Sequence, residues 1–210
     1  MRGLQCLKSL YLYKNFIQLR DQPSLEQKAI FNRGNKVGLI AQRFFPGGVD
    51  ATPLKRSDNM GAVVRTKELL EEGVEIIYEA AFQYEGVLAI LDILVYNSGV
   101  QLQDFSLMII NNQYVRHGEV DIQQLFTVKS VKENILKTQP FIQENIEACK
   151  KIINSPEMPQ IGIGEHCFIP YSCDFMGVCW KNIPSDSVFE ITGISKVEQF
   201  GLYKAGYTTI

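Results

Sequence analysis

Apolar residues recur at helical spacing through the first third of the chain. Leu4, Leu7, Leu10 and Tyr11 predict a short helix over 3–13, with Cys6 inside it and Lys8 and Lys14 on its more polar side. Pro23-Ser24 opens a second helix, with Ser24 as N-cap and Gln27 at the capping-box position. Its apolar residues are Ile30, Phe31, Val37, Ile40, Ala41 and Phe44, and Pro46-Gly47-Gly48 ends it. Gly34 and Gly38 inside it either admit a close backbone or mark a break. After a polar loop over 47–59, Asp58 caps a helix of about 60–72, with Val63, Val64, Leu69 and Leu70 on its apolar side and Gly73 as its stop.

From residue 74 the pattern changes to that of strands. Val74 to Phe82 is rich in Ile, Tyr, Ala and Phe, Tyr84-Glu85-Gly86 is a tight turn, and Val87 to Tyr96 is almost wholly apolar. This predicts a β-hairpin whose second strand is buried on both faces. Asp92 lies in the middle of that strand. A carboxylate among aliphatic neighbours needs hydrogen bonds, a cation or a metal, or else an open cleft at its position.

Asn97-Ser98-Gly99 reads as a turn and Val100 to Ile110 as a third strand. Residues 113–127 are mixed, with a helical turn over Asp121–Phe126. Ser130 caps a longer helix with Glu133 at its capping-box position; Pro140 interrupts it, and Phe141 to Ile153 continues it. Cys149, among Ile142, Ile146 and Ile153, reads as a core thiol. An irregular segment from Ser155 precedes the cysteine-rich stretch, and Ser195 caps a last helix that Gly206 ends. That final unit has a loose likeness to half of a helix-hairpin-helix, against the plainer reading of a helical cap. The chain has no internal repeat.

Composition is that of a globular protein, with 46% hydrophobic and 21% charged residues. No apolar run is long enough for a membrane helix, and the first residues lack the pattern of a signal peptide, so a cytoplasmic protein is expected. Net charge is −2, but it is unevenly spread. Residues 1–67 carry twelve Lys/Arg and four Asp/Glu, whereas 68–210 carry nine and nineteen. A basic first third fits a nucleic-acid face, with Lys8, Lys14 and Arg43 as candidate contacts; it fits equally well two halves that neutralise each other.

Cysteine usage narrows the chemistry. Cys167, Cys173 and Cys179 stand with five residues between neighbours, and Cys6 is far away near the start. In a reducing compartment such a set points to ligands and not to disulfides. Zinc sites usually pair ligands two to four residues apart, whereas iron–sulfur clusters tolerate wider gaps. His166 can replace Cys6 in a zinc site of three cysteines and one histidine, so cluster, zinc and plain buried thiols all remain open.

Several stretches together resemble the iron–sulfur branch of the RecB-like PD-(D/E)XK nucleases, which includes CRISPR-adaptation nucleases and AddB-type helicase-nucleases. The likeness is nearest to an uncharacterised bacterial group that pairs this domain with a DEDD-type exonuclease-like domain. The residues that carry it are Gly3 to Asn15, Val37 to Gly48, Ile77-Tyr-Glu79-Ala-Ala-Phe82, Asp92-Ile-Leu-Val95, Asn112 to Arg116, and His166 through Trp180. The resemblance implies an α/β (α+β), restriction-endonuclease-like mixed sheet flanked by helices. It implies a 4Fe-4S cluster on Cys6, Cys167, Cys173 and Cys179 that ties the two ends together. Asp92 matches the family's metal-binding aspartate, which acts with Mg or Mn in phosphodiester hydrolysis of DNA.

The chain also departs from that family. No Glu-x-Lys strand follows Asp92, and Gln42 stands where a metal-binding histidine is often found. One carboxylate is a poor site for a hard divalent cation. The expectation is therefore a nuclease-like domain over 1–183, truncated in its core and catalytically compromised, with a short helical appendage over 184–210 that begins a further region. The beginning is expected to be clipped before Arg2. A decayed gene product and a fragment completed by a partner chain both fit, and a non-catalytic DNA-binding module or a zinc-stapled structural protein are the alternatives.

Overall fold

A computed structural model describes residues 2–55, 57–96 and 103–210. Among these the protein is a mixed α+β fold with eight α-helices and two small sheets. Compactness divides it into two units: residues 1–26 with 137–210, and residues 27–136.

The second unit holds both sheets. Helix α3 (Leu25–Gln42) leads into it without a break at Gly34 or Gly38, and a Cβ at either glycine would meet nothing within 4 Å. Neither glycine therefore serves a close contact or a break. Strand β1 (Val49–Asp50) runs parallel to β2 (Ile76–Tyr84), which pairs antiparallel with β3 (Val87–Val95). Glu85 and Gly86 have φ of 47° and 77°, the left-handed pair that a two-residue hairpin turn requires. Helix α4 (Asn59–Glu71) is capped by Asp58, whose Oδ1 accepts from Gly61 N at 2.9 Å. It packs on β2, and Ala51, Leu69, Ile77, Ala80 and Leu94 form the core between them. Thr66 joins the two: its buried hydroxyl donates to Ala62 O at 2.9 Å and accepts from Ala81 N at 2.8 Å. Tyr78 holds the loop after α3, donating to Phe45 O at 2.6 Å and accepting from Gly48 N at 3.1 Å. A Cβ on Gly48 would collide with that ring, so only glycine fits there.

The expectation that β3 is buried on both faces is overturned. β3 ends the three-strand order, and Ala89, Ile90, Asp92 and Val95 are exposed. An aliphatic run is consistent with burial, but only neighbouring elements can supply it.

The third strand is shorter than expected. β4 (Ser106–Ile110) pairs antiparallel with β5 (Phe126–Ser130); the turn at 97–99 and the strand start at 100–102 lie outside the described residues. The expected helical turn is α5 (Ile122–Leu125), which Asp121 caps, but β5 follows it directly. Ser130 ends β5, and its hydroxyl donates to Asp104 Oδ1 at 2.6 Å. Helix α6 (Lys132–Ile153) runs through Pro140, because the helix is exposed there and solvent can take the carbonyl that proline leaves unbonded.

The first unit has fewer regular elements. The helix expected over 3–13 is two: α1 (Arg2–Gln5) and α2 (Leu7–Asn15), separated by Cys6 at φ −162° and ψ 116°. Residues 184–210 belong to this unit. Their helix α8 (Lys196–Lys204) carries the expected capping box between Ser195 and Glu198, and Gly206 follows it at φ 95°. Val188, Phe189 and Phe200 form a core with Phe168 and Trp180, so the chain end is packed on the cysteine-rich segment. No helix of the described residues is long and apolar enough to cross a membrane.

Candidate metal centre

The extended Cys6 is what lets the N-terminal segment present a thiol sideways. It ends α1, where its N–H bonds to Arg2 O at 2.9 Å, and starts α2, where its carbonyl accepts from Leu10 N at 3.1 Å. The C-terminal ligands come from an irregular stretch. Cys167 ends a 3-10 turn over Glu165–Cys167, Cys173 returns to it by a backbone bond to Cys167 O at 2.7 Å, and Cys179 closes the short helix α7 (Met176–Cys179).

Cys6, Cys167, Cys173 and Cys179 line one small cavity of about 10 Å3. Lys8, Ser9, His166, Phe175, Met176 and Trp180 complete most of its wall. Cys167 is buried and the other three are half-buried, and all five cysteines of the chain are free thiols. Cys149 is not among those lining it. It is half-buried on α6 with its Sγ against Gly3, which corrects its expected place in the core.

Electrostatics inside the cavity disfavour bare thiolates. Burial pushes the Cys173 thiol up, hydrogen bonds with Phe175 and Ser9 pull it down, and the charges of Cys167 and Cys6 raise it again. Burial also raises Cys179, with Lys8 opposing and the other three cysteines adding to the rise. The four sulfurs therefore sense one another, and a bound cationic centre would relieve both burial and mutual repulsion while displacing their protons. Among the described residues no three His, Cys, Asp or Glu side chains are set to grip a single ion.

The two ends are tied by more than cysteines. Asp174 accepts two bonds from the Arg2 guanidinium, one of them from Nη2 at 3.0 Å, and a third from Arg20 Nε at 2.5 Å. Asp21 N donates to Asp174 O at 2.8 Å, and its carboxylate accepts from Gly177 N at 3.0 Å. Gln5 Nε2 donates to the carbonyls of His166 at 2.7 Å and Tyr171 at 2.6 Å. Ser9 Oγ accepts from Arg2 Nη1 at 3.1 Å and from Cys173 Sγ at 3.7 Å. Residues 2–21 and 165–180 are thus stitched together by several hydrogen bonds and an ion pair.

Other predicted residues fall elsewhere. Lys8 is half-buried in the cavity wall and donates to Ile161 O at 3.3 Å. Lys14 and Arg43 are exposed. His166 lines the same cavity as the cysteines, so the zinc alternative keeps its fourth ligand nearby. Asp92 is exposed on edge strand β3. The ladder pairs Tyr78 with Ile93 and Ala80 with Leu91, which leaves Glu79 opposite Asp92. Glu79 is half-buried with φ 55°, in the left-handed region. Ser9 and Lys8 went unrecognised as parts of the cysteine site, since nothing in their spacing links them to residues some 160 positions away.

No protein-family model, curated protein or solved structure matches this chain.

Proposed function

We propose that this chain is an iron–sulfur, PD-(D/E)XK nuclease-like domain in which a 4Fe-4S cluster on Cys6, Cys167, Cys173 and Cys179 clasps the N- and C-terminal segments. The observation that carries this reading is selective. The four cysteines singled out by spacing share one cavity, and the fifth lies outside it. The donor set fits a cluster, since thiolate sulfur is its usual ligand and four cysteines line the one cavity. When bound, the cluster supplies a covalent cross-link between distant segments and a one-electron redox centre. The chain's own part is to orient the sulfurs through Cys6, Ser9 and the Arg2–Asp174 pair, and to cover the site with Phe175 and Trp180.

The three-strand sheet with α4 against it is read as a truncated restriction-endonuclease-like core. Its catalytic power is compromised in this reading, because Asp92 stands on an exposed edge with no Glu-x-Lys strand beside it. DNA is the expected partner. Lys28, Arg33 and Lys36 on α3, with Arg43 just beyond, are exposed and offer cations for phosphates.

Anaerobic purification with iron, sulfide and zinc determination tests the cluster. Brown protein with about four irons and four sulfides per chain supports it. Colourless protein with one zinc replaces it with a structural zinc site, held by the four cysteines or by three of them and His166. Binding to single- and double-stranded DNA, measured against salt, tests the partner; affinity that does not fall with salt removes the phosphate-contact reading.

A further inference from the structure

Trp180 follows Cys179 directly and lines the cysteine cavity. Its indole Nε1 is buried and has no hydrogen-bond partner among the described residues. A buried donor left unpaired is costly, so its acceptor is the question this residue poses. The ring cannot turn freely to find one. Phe168 stands edge-on at 5.4 Å between centroids, Phe189 at 4.8 Å and Phe200 at 5.9 Å. The cavity's other donors on α2 are already engaged: Lys8 bonds to Ile161 O, and Ser9 lies between Arg2 and Cys173.

We propose that Trp180 donates its indole N–H to a sulfur of the cluster in this cavity and thereby sets the cluster's reduction potential. The inference rests on the cluster reading above. Sulfide and thiolate sulfurs are acceptors, and they would supply what the buried N–H lacks. Reduction adds one electron and one negative charge to the iron–sulfur core, with the cysteine bonds kept and no proton moved. A donor aimed at sulfur stabilises that added charge, so Trp180 is a positioning residue that favours the reduced state.

The test is an anaerobic redox titration of the loaded protein, with dithionite as electron donor, on the natural chain and on Trp180→Phe. Loss of the N–H is expected to lower the reduction equilibrium constant about tenfold, which is ~59 mV more negative for one electron. Equal potentials with equal iron content overturn the inference and leave the cluster standing. A natural chain with no iron–sulfur cluster overturns both.

A second measurement needs no variant. Trp180 is the only tryptophan of the chain, so intrinsic emission reports on this indole alone. Emission is expected to be quenched in the loaded protein and recovered when a chelator strips the iron. Emission unchanged by loading sets the indole apart from the cluster and overturns the proposal.

Discussion

Arg2 and Asp174, 172 residues apart, meet as a forked ion pair beside Cys173. Arg2 also stacks over Tyr13 at 4.3 Å, and Arg20 joins the same carboxylate. Both partners of the fork are largely shielded, with side chains 28% and 19% exposed, so breaking it leaves a charge poorly solvated. Arg2→Ala is expected to destabilise the protein by about 2 kcal/mol in urea unfolding. Arg2→Lys should recover only part of this, since an ammonium cannot form the fork. Equal stability of the natural chain and Arg2→Ala would show that the pair is decorative.

The same pair sets a pH dependence. Burial alone would raise the Asp174 carboxyl, but the hydrogen bond and charge of Arg2, then those of Arg20, hold it below the usual carboxylate range. A depressed folded-state pKa means that the pair's stabilisation is present above the ordinary aspartate range. It is lost as pH falls through the folded value. Urea midpoints measured from neutral to acid pH should therefore decline less steeply for Asp174→Asn than for the natural chain. Parallel profiles would count against the linkage.

Replacing the cysteines one at a time separates ligands from bystanders. Cys6, Cys167, Cys173 and Cys179 to Ala should each bleach the cluster absorption and lower Tm by roughly 10 °C, the effect of about 3 kcal/mol in a chain of this size. Cys149→Ala should retain iron and lose about 1 kcal/mol or less. A Cys6→Ala protein that keeps its full iron content would transfer the fourth position to His166, which His166→Ala then checks.

Asp92 provides the test of catalysis. With Mg or Mn the natural chain is expected to show little or no cleavage of single- or double-stranded DNA, and Asp92→Ala should change stability by no more than ~0.5 kcal/mol, as at other exposed positions. Robust cleavage that vanishes in Asp92→Ala would show that a working nuclease centre exists on β3 after all.

Thr66 is a purely structural counterpart. Thr66→Val keeps the shape but strands Ala81 N in the core, and is expected to cost about 1–3 kcal/mol in chemical denaturation, whereas Thr66→Ser should cost less. Similar losses for both would place the effect in the methyl group and not in the hydrogen bond.

Local chemistry made much of this fold readable before any coordinates. Asp58 and Ser195 cap helices because a short acceptor side chain meets an unpaired N–H within three residues. Glu85-Gly86 turns the hairpin because its two left-handed residues match strand twist. The shared cysteine cavity was legible too, since sulfur is a restricted chemistry and the spacing of Cys167, Cys173 and Cys179 is unusual. Tertiary structure decided what depends on neighbours. The run Val87–Val95 looks buried, yet an edge strand has a partner on only one side, and Asp92 is left in solvent. Lys8 looks like a surface cation, yet the stitched ends fold it into the cavity wall. Cys6 looks helical among leucines, yet it adopts an extended break where α1 gives way to α2. Periodicity and caps act over a few residues and are written in the chain. Burial, and the pairing of Arg2 with Asp174, arise only when segments far apart in sequence are brought together.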